Sequence, residues 1–200
     1  DAASDGDTVL VSAGTYVENI IWPATNGIKL IGEDRETTII DGNSLAGAGV
    51  IRFEEDLGGI IDSTTLITGF TIQNGYAQGV YPNSFEGKMG GGMYLFSSSP
   101  TLTDVTFSGN SAERYGGGIY LSSSSPTLTD VTFSNNTTDQ MGGGMWIGES
   151  SPTLTDVTFS DNTADWEGGG MRLSSSSPTL TDVTFNDNTA DHGGGMYLHS

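Results

Sequence analysis

Twenty-five carboxylates stand against six cations and two histidines in 200 residues, so acid–base chemistry in this chain would fall mainly to Asp and Glu. Hydrolysis of a glycosidic bond needs two or three such groups converging on one place, some kept protonated by their neighbours. Here the carboxylates instead recur at a fixed interval. Asp104, Asp130, Asp156 and Asp182 each follow a Thr-Leu-Thr strand, and Glu113, Asp139, Asp165 and Asp191 lie in a more variable stretch. A catalytic site is needed once, so repetition points to architecture. The cations Lys29, Arg35, Arg52, Lys88, Arg114 and Arg172 are scattered and form no constellation with paired aspartates. His192 and His199 sit near the C-terminus and read as exposed loop or strand residues. For the first acidic column the preferred reading is a bend cap, each carboxylate accepting a backbone N–H in an Asx-type turn. Calcium between successive carboxylates is the sharper alternative, although no Asp-rich loop of calcium-binding spacing is present.

Aromatic residues give the better clue to binding. After each Gly-Gly-Gly run comes an apolar-X-apolar triplet, and its middle residues are Tyr94, Tyr120, Trp146, Arg172 and Tyr197. If these triplets stack in register, the middle residues form a continuous exterior stripe of aromatics interrupted by one Arg. Beside it runs the variable stretch, with Tyr76, Tyr81, Phe85, Lys88, Arg114, Tyr115, Gln140, Met141, Trp166, Glu167 and His192. Aromatic faces with polar neighbours suit sugar rings or a protein partner. The competing reading is that the rings stabilise the sheet as cross-strand neighbours, shielded by adjacent loops. A second outward array is Thr101/Thr103, Thr127/Thr129, Thr153/Thr155 and Thr179/Thr181. Flat Thr-X-Thr arrays resemble those of ice-binding solenoids, but Thr is also a good solvent-facing strand former, and that reading is preferred.

The elements that must position these residues follow from one repeat. Pro-Thr-Leu-Thr-Asp-Val-Thr-Phe begins at Pro100, Pro126, Pro152 and Pro178, each start 26 residues after the last. A fixed period in this range means stacked repeats. Each segment alternates with period two and none shows helical spacing. Strands of three to five residues, joined by turns of very different length, pair with their own copies one repeat later, about 4.8 Å away. The predicted core is three columns: Leu102/Leu128/Leu154/Leu180, Val105/Val131/Val157/Val183 and Phe107/Phe133/Phe159/Phe185. Asn110, Asn136, Asn162 and Asn188 would form a buried ladder of amides satisfying bend backbone out of reach of water. Asn19, Asn43 and Asn74 are expected to hold the same place in irregular earlier coils, where Asn also tolerates a left-handed bend.

The opening Gly6-Asp7-Thr8-Val9-Leu10-Val11, Gly14-Thr15-Tyr16 and Ile31-Gly32-Glu33 through Ile39-Ile40-Asp41-Gly42 resembles the first coils of a pectin-lyase-like right-handed parallel β-helix. The later Phe-X-X-Asn followed by Gly-Gly-Gly-Ile/Met is similar to the repeats of chlamydial polymorphic membrane proteins and other secreted bacterial β-helix surface proteins. The resemblance implies an all-β, single-stranded parallel β-helix of about seven to eight coils. It also implies a capping amphipathic helix, of which Asp1-Ala2-Ala3 would be the last turn. It says little about activity, because lyases, hydrolases, esterases and non-enzymatic adhesins share the fold. Lyases would need a cation near the substrate carboxylate and an Arg or Lys base, which the scattered cations do not supply.

Composition bounds the rest. A net charge of −19 disfavours nucleic acid and anionic membrane as partners. No apolar run approaches the roughly 18 residues of a spanning helix, and the absence of Cys excludes a disulfide framework or thiolate zinc site. The expected organisation is one domain over 1–200, a segment of a longer protein, with irregular coils over 1–74, a loop insertion over 75–89 and regular repeats over 90–200. The expected role is a non-catalytic, extracellular or cell-surface bacterial stalk or adhesin that binds glycan or a surface protein through the Gly-Gly-Gly side. A carbohydrate-active enzyme, or its sugar-binding domain, is the alternative. No cofactor is expected apart from the calcium alternative, and unpaired strand edges at both ends suggest end-to-end self-association.

Overall fold

Every strand pairing among the described residues is parallel and joins successive coils, 25 or 26 residues apart in the regular half and 21 to 42 before it. The computed structural model describes residues 3–44, 46–47, 49–54, 61–79 and 86–199. Tyr81, Phe85, Asp1, Ala2 and part of the expected 75–89 insertion lie outside them. Three sheets wrap one core. The first runs seven coils deep through Thr8–Val11, Lys29–Gly32, Leu66–Gln73, Thr101–Ser108, Thr127–Ser134, Thr153–Ser160 and Thr179–Asn186, with Gly14–Val17 and Thr38–Asp41 joining its far half. The second runs from Ile20–Ile21 through Ile51–Phe53 and the four-residue strands after each Gly-Gly-Gly, ending at Met196–His199. The third consists of two-residue strands such as Ser111–Ala112. No α-helix is present among the described residues.

The strand at the heart of each repeat is longer than the spacing suggests. Thr101–Ser108 and its copies are continuous eight-residue strands that pass through the Asp. The Asp is left-handed, with φ of 54°, 53°, 54° and 52° at Asp104, Asp130, Asp156 and Asp182. That one residue shifts the alternation by a step: Thr103 and Asp104 both face away from the core, so that Leu102, Val105 and Phe107 all face in. In the preceding coil Gly69, with φ of 76°, takes the same position. Asp belongs there because short polar side chains tolerate the left-handed region. The expected Asx-type turn is not what the residue makes: among the described residues no main-chain N–H donates to any of these four carboxylates.

The three predicted columns form the core. Leu102, Leu128 and Leu154, Val105 and Val157, and Phe107, Phe133 and Phe159 are fully buried. The Phe rings stack at 5.1, 4.7 and 4.9 Å between centroids. The columns open at the last coil, where Leu180 is 38% exposed.

The Asn ladder is built as the spacing predicts. Nδ2 of Asn110, Asn136 and Asn162 donates to Oδ1 of the next Asn at 3.0, 2.9 and 2.9 Å. Each main-chain N–H donates to the same oxygen. Nδ2 of Asn136, Asn162 and Asn188 also reaches back to Phe107, Phe133 and Phe159 carbonyls. The earlier asparagines are not rungs. Gln73 pairs with Ser108, so the counterpart of Asn110 is Gly75, whose N–H donates to Asn110 Oδ1. A Cβ at Gly75 would lie 1.9 Å from the Gly91 carbonyl oxygen, which bars Asn from that position. Asn43 and Asn74 instead occupy left-handed bends (φ 53° and 54°), and Asn19 donates to the Gly49 carbonyl. A serine ladder turns the opposite corner: Ser124, Ser150 and Ser176 hydroxyls accept from the N–H groups of Ser98, Ser124 and Ser150.

Asn136→Ala removes the acceptor of two Asn110 donors and the donor to the Phe107 carbonyl, all buried. We expect a loss of about 2 kcal/mol or more in urea unfolding. Asn135→Gly, one residue away at a left-handed position that Gly109 fills in the previous coil, should be nearly neutral.

Candidate binding face

The side chains that could engage a partner stand on the second sheet, each placed over its counterpart by the sheet register. Ile21, Arg52, Tyr94, Tyr120, Trp146, Arg172 and Tyr197 are successive partners in one column. The rings stack almost parallel, Tyr94–Tyr120 at 5.2 Å and Tyr120–Trp146 at 4.7 Å. Arginines bound the aromatic run. The Arg52 guanidinium lies 3.9 Å from the Tyr94 ring centroid and pairs with Glu54 at 2.7 Å. Arg172 lies 5.9 Å from the Trp146 centroid and pairs with Glu167 at 3.3 Å. Such stacking of cation on ring is attractive through the ring quadrupole. Arg52 thus belongs to this column and not to a scatter of cations. Its signal was present in Ile51-Arg52-Phe53, which has the same apolar-X-apolar form as the later triplets but lacks their Gly-Gly-Gly.

The stripe exists, but its expected exposure needs correction. Tyr94 is 2% exposed, and Tyr120 and Arg172 are each 8% exposed. The cause is a second column just before each Gly-Gly-Gly, in which Met89, Tyr115, Met141, Glu167 and His192 pair coil to coil. Met89 closes with Tyr94 and Tyr120 into a small apolar cluster, against which Phe96, Tyr115 and Trp146 pack. Tyr115 stacks on Trp146 at 5.3 Å. The rings thus form a second core outside the first. Glycines allow this sharp return: a Cβ on Gly117 would lie 2.3 Å from the Thr137 carbonyl oxygen.

What remains open is the rim. Trp166 is 52% exposed, with its main-chain N–H donating to the Gln140 carbonyl at 2.9 Å. Trp146, Tyr115 and Tyr197 are half-buried, and the buried Trp146 Nε1 has no hydrogen-bond partner among the described residues. Trp166 stands where the last coil is one residue shorter: Thr163 pairs with Thr189, but Glu167 pairs with His192. His192 and His199 are exposed.

The acidic columns take different surroundings. Arg35 bridges Asp104 at 3.1 Å and Asp130 at 3.2 Å, so a cation already joins the first two members. Among the described residues no three Asp, Glu or His side chains converge as metal ligands. In the other column Lys88 pairs with Glu113. Burial, and then the charges of Asp165 and Glu113, raise the Asp139 carboxyl above its ordinary value. The folded chain therefore holds this proton more tightly than the unfolded chain. Its contribution to stability falls as pH rises through the interval above the ordinary carboxylate value, and is unfavourable at neutral pH. Asp139→Asn is expected to raise Tm at pH 7, with the gain shrinking as pH falls toward ~4; an unchanged or lower Tm at pH 7 contradicts this electrostatic account.

With that geometry, comparisons with known proteins concern the fold. No curated protein matches the sequence. The solved structure of pectin methylesterase from Yersinia enterocolitica is similar over 100% of this chain and 91% of that one, with 9% identity and a TM-score of 0.39. The family of the right-handed beta helix region matches residues 9–200. That match over nearly the whole chain makes it a member of the right-handed β-helix family.

Proposed function

We propose that the chain is a non-catalytic module of a bacterial secreted or surface protein, a rigid stalk that binds glycan at the rim around Trp166. The observation that carries this reading is the exposure of Trp166. Outside the first and last coils it is the one large hydrophobic residue among the described residues with more than a third of its surface in solvent. It directly precedes Glu167 of the column that flanks the stacked aromatics, and the exposed carboxylates Asp139 and Asp165 lie in the neighbouring column. An aromatic face binds the C–H face of a sugar, while carboxylates and the Gln140 amide accept or donate hydrogen bonds to its hydroxyls. The buried tyrosines serve differently, by packing with Met89 into the outer apolar cluster.

A hydrolytic reading has one observation in its favour. Asp139 is a carboxyl with raised proton affinity between two other acids beside this rim, as a general acid would be. Glycan-array binding and titration calorimetry test the binding reading. Trp166→Ala should weaken the strongest glycan by about tenfold or more, with an unchanged Tm. Tyr94→Ala should lower Tm instead. Binding unaffected by Trp166→Ala overturns the assignment, and release of reducing ends that is lost in Asp139→Asn would establish the enzyme.

A further inference from the structure

The loop position beside the acidic column changes character along the axis, while the acidic column does not. Met89 pairs with Tyr115, Tyr115 with Met141 and Met141 with Glu167, each 26 residues on. Lys88, Arg114, Gln140 and Trp166 therefore hold one position in successive coils, and Glu113, Asp139 and Asp165 hold the position before it. In the earlier coils the chain supplies its own cations there. Lys88 pairs with Glu113, and the Arg114 guanidinium lies 5.6 Å from the Tyr115 ring centroid. In the later coils Gln140 and Trp166 stand where those cations stood, and among the described residues neither Asp139 nor Asp165 enters an ion pair. The following coil is one residue short. Thr163 pairs with Thr189, which sets Asp191 opposite Asp165, but Glu167 pairs with His192. Trp166 is thus the residue with no counterpart in that coil, and it is 52% exposed at a step in the register beside Asp165 and Asp191.

Resting on the reading that Trp166 holds a sugar ring, we infer that the glycan taken at this rim carries free ammonium groups, as a polymer of unacetylated amino sugars does, and that Asp139 and Asp165 select it over neutral and acidic glycans. The carboxylates without an ion pair recur at the coil spacing, about 4.8 Å, so a linear polycation lying along the axis meets more than one of them. Asp139 and Asp165 also repel each other. Together with burial, the Asp165 and Glu113 charges raise the Asp139 carboxyl above its ordinary value, and an ammonium seated beside the pair relieves that repulsion. The exposed indole attracts an ammonium through its ring quadrupole and packs on the C–H face of the sugar that carries it. Lys88 on Glu113 is the chain's own version of the same contact, two and three coils away. A uronate or sulfated chain fares worse. Glu167 is balanced by Arg172 and Glu113 by Lys88, so an anionic ligand meets the uncompensated Asp139 and Asp165 on a protein of net charge −19.

Titration calorimetry at pH ~5.5, where an amino sugar holds its proton and an ordinary carboxylate has lost its own, tests this with a glucosamine oligomer, its N-acetylated counterpart and an oligogalacturonate of equal length. The glucosamine oligomer should bind about tenfold or more tightly than the acetylated one and lose most of that advantage in about 0.5 M salt, and the galacturonate should not bind. Asp165→Asn should bring the preference down to about threefold or less. Should that variant misfold by circular dichroism, Asp139→Asn, which removes the carboxyl of raised proton affinity, takes its place with the same expectation. Equal binding of the two glucosamine oligomers, a preference unchanged in the Asn variant, or no glucosamine binding at on the order of 1 mM overturns the inference. If Trp166→Ala still weakens the acetylated oligomer, the sugar-binding reading survives that failure; if Trp166→Ala binds every probe as the parent does, both fall. A preference that survives Trp166→Ala, and that oligolysine of equal charge reproduces, is attraction to net charge alone and also overturns the inference.

Discussion

Every side chain in the regular half of this molecule has, as its nearest neighbour along the axis, the same position of the next coil about 4.8 Å away. That constraint decides which residue types the chain can use. A position is viable only if its side chain tolerates its own copy at one strand spacing. Phenylalanines satisfy it by parallel stacking, Asn and Ser by handing a hydrogen bond from each copy to the next, and Thr by its affinity for the strand surface. Carboxylates satisfy it poorly. The molecule answers with Arg35 across Asp104 and Asp130 and Lys88 on Glu113, while Asp139 keeps a raised proton affinity.

The same constraint produces two cores rather than one. Inward positions fill the coil with Leu, Val, Phe and Met. The outward column of the second sheet stacks just as closely, and its tyrosines draw the preceding loop over themselves through Met89 and Tyr115. The arginines at the limits of the aromatic run, each held by a glutamate, let charge meet ring without leaving either unsupported. The result is a second packed layer of stacked rings outside the sheet.

Much of this was legible because repetition turns sequence period directly into spatial neighbourhood. The Leu, Val and Phe columns, the rungs from Asn110 to Asn188 and the succession Tyr94, Tyr120, Trp146, Arg172 all follow from a spacing of 26, and Tyr197 follows Arg172 after 25. What the period cannot tell is how far a loop folds back. Tyr94 and Tyr120 occupy outward positions yet are buried, because Met89 and Tyr115 cover them, and loop direction depends on glycine geometry that spacing does not encode. Asn74 lies one position before the rung for a different reason. The offset to the next coil is 35 residues on both sides of the bend, so Asn110 stands opposite Gly75, where a backbone oxygen leaves no space for a side chain. Likewise the Asp of each repeat looked like the end of a strand, whereas a left-handed φ lets the strand continue through it.

In-register stacking runs through all seven coils of the first sheet, and the absence of Cys makes it directly measurable. Leu10 and Thr181 lie in one outward column, six coil steps apart. Nitroxide labels on Leu10→Cys and Thr181→Cys, diluted with unlabelled chain, should give a double electron–electron resonance distance centred near ~29 Å, six strand spacings. Replacing the second label by Thr129→Cys should shorten it by about two spacings, ~10 Å. Distances that do not change with the number of intervening coils would mean that equal positions are not stacked along one axis, and both the aromatic wall and the site built on it would fall.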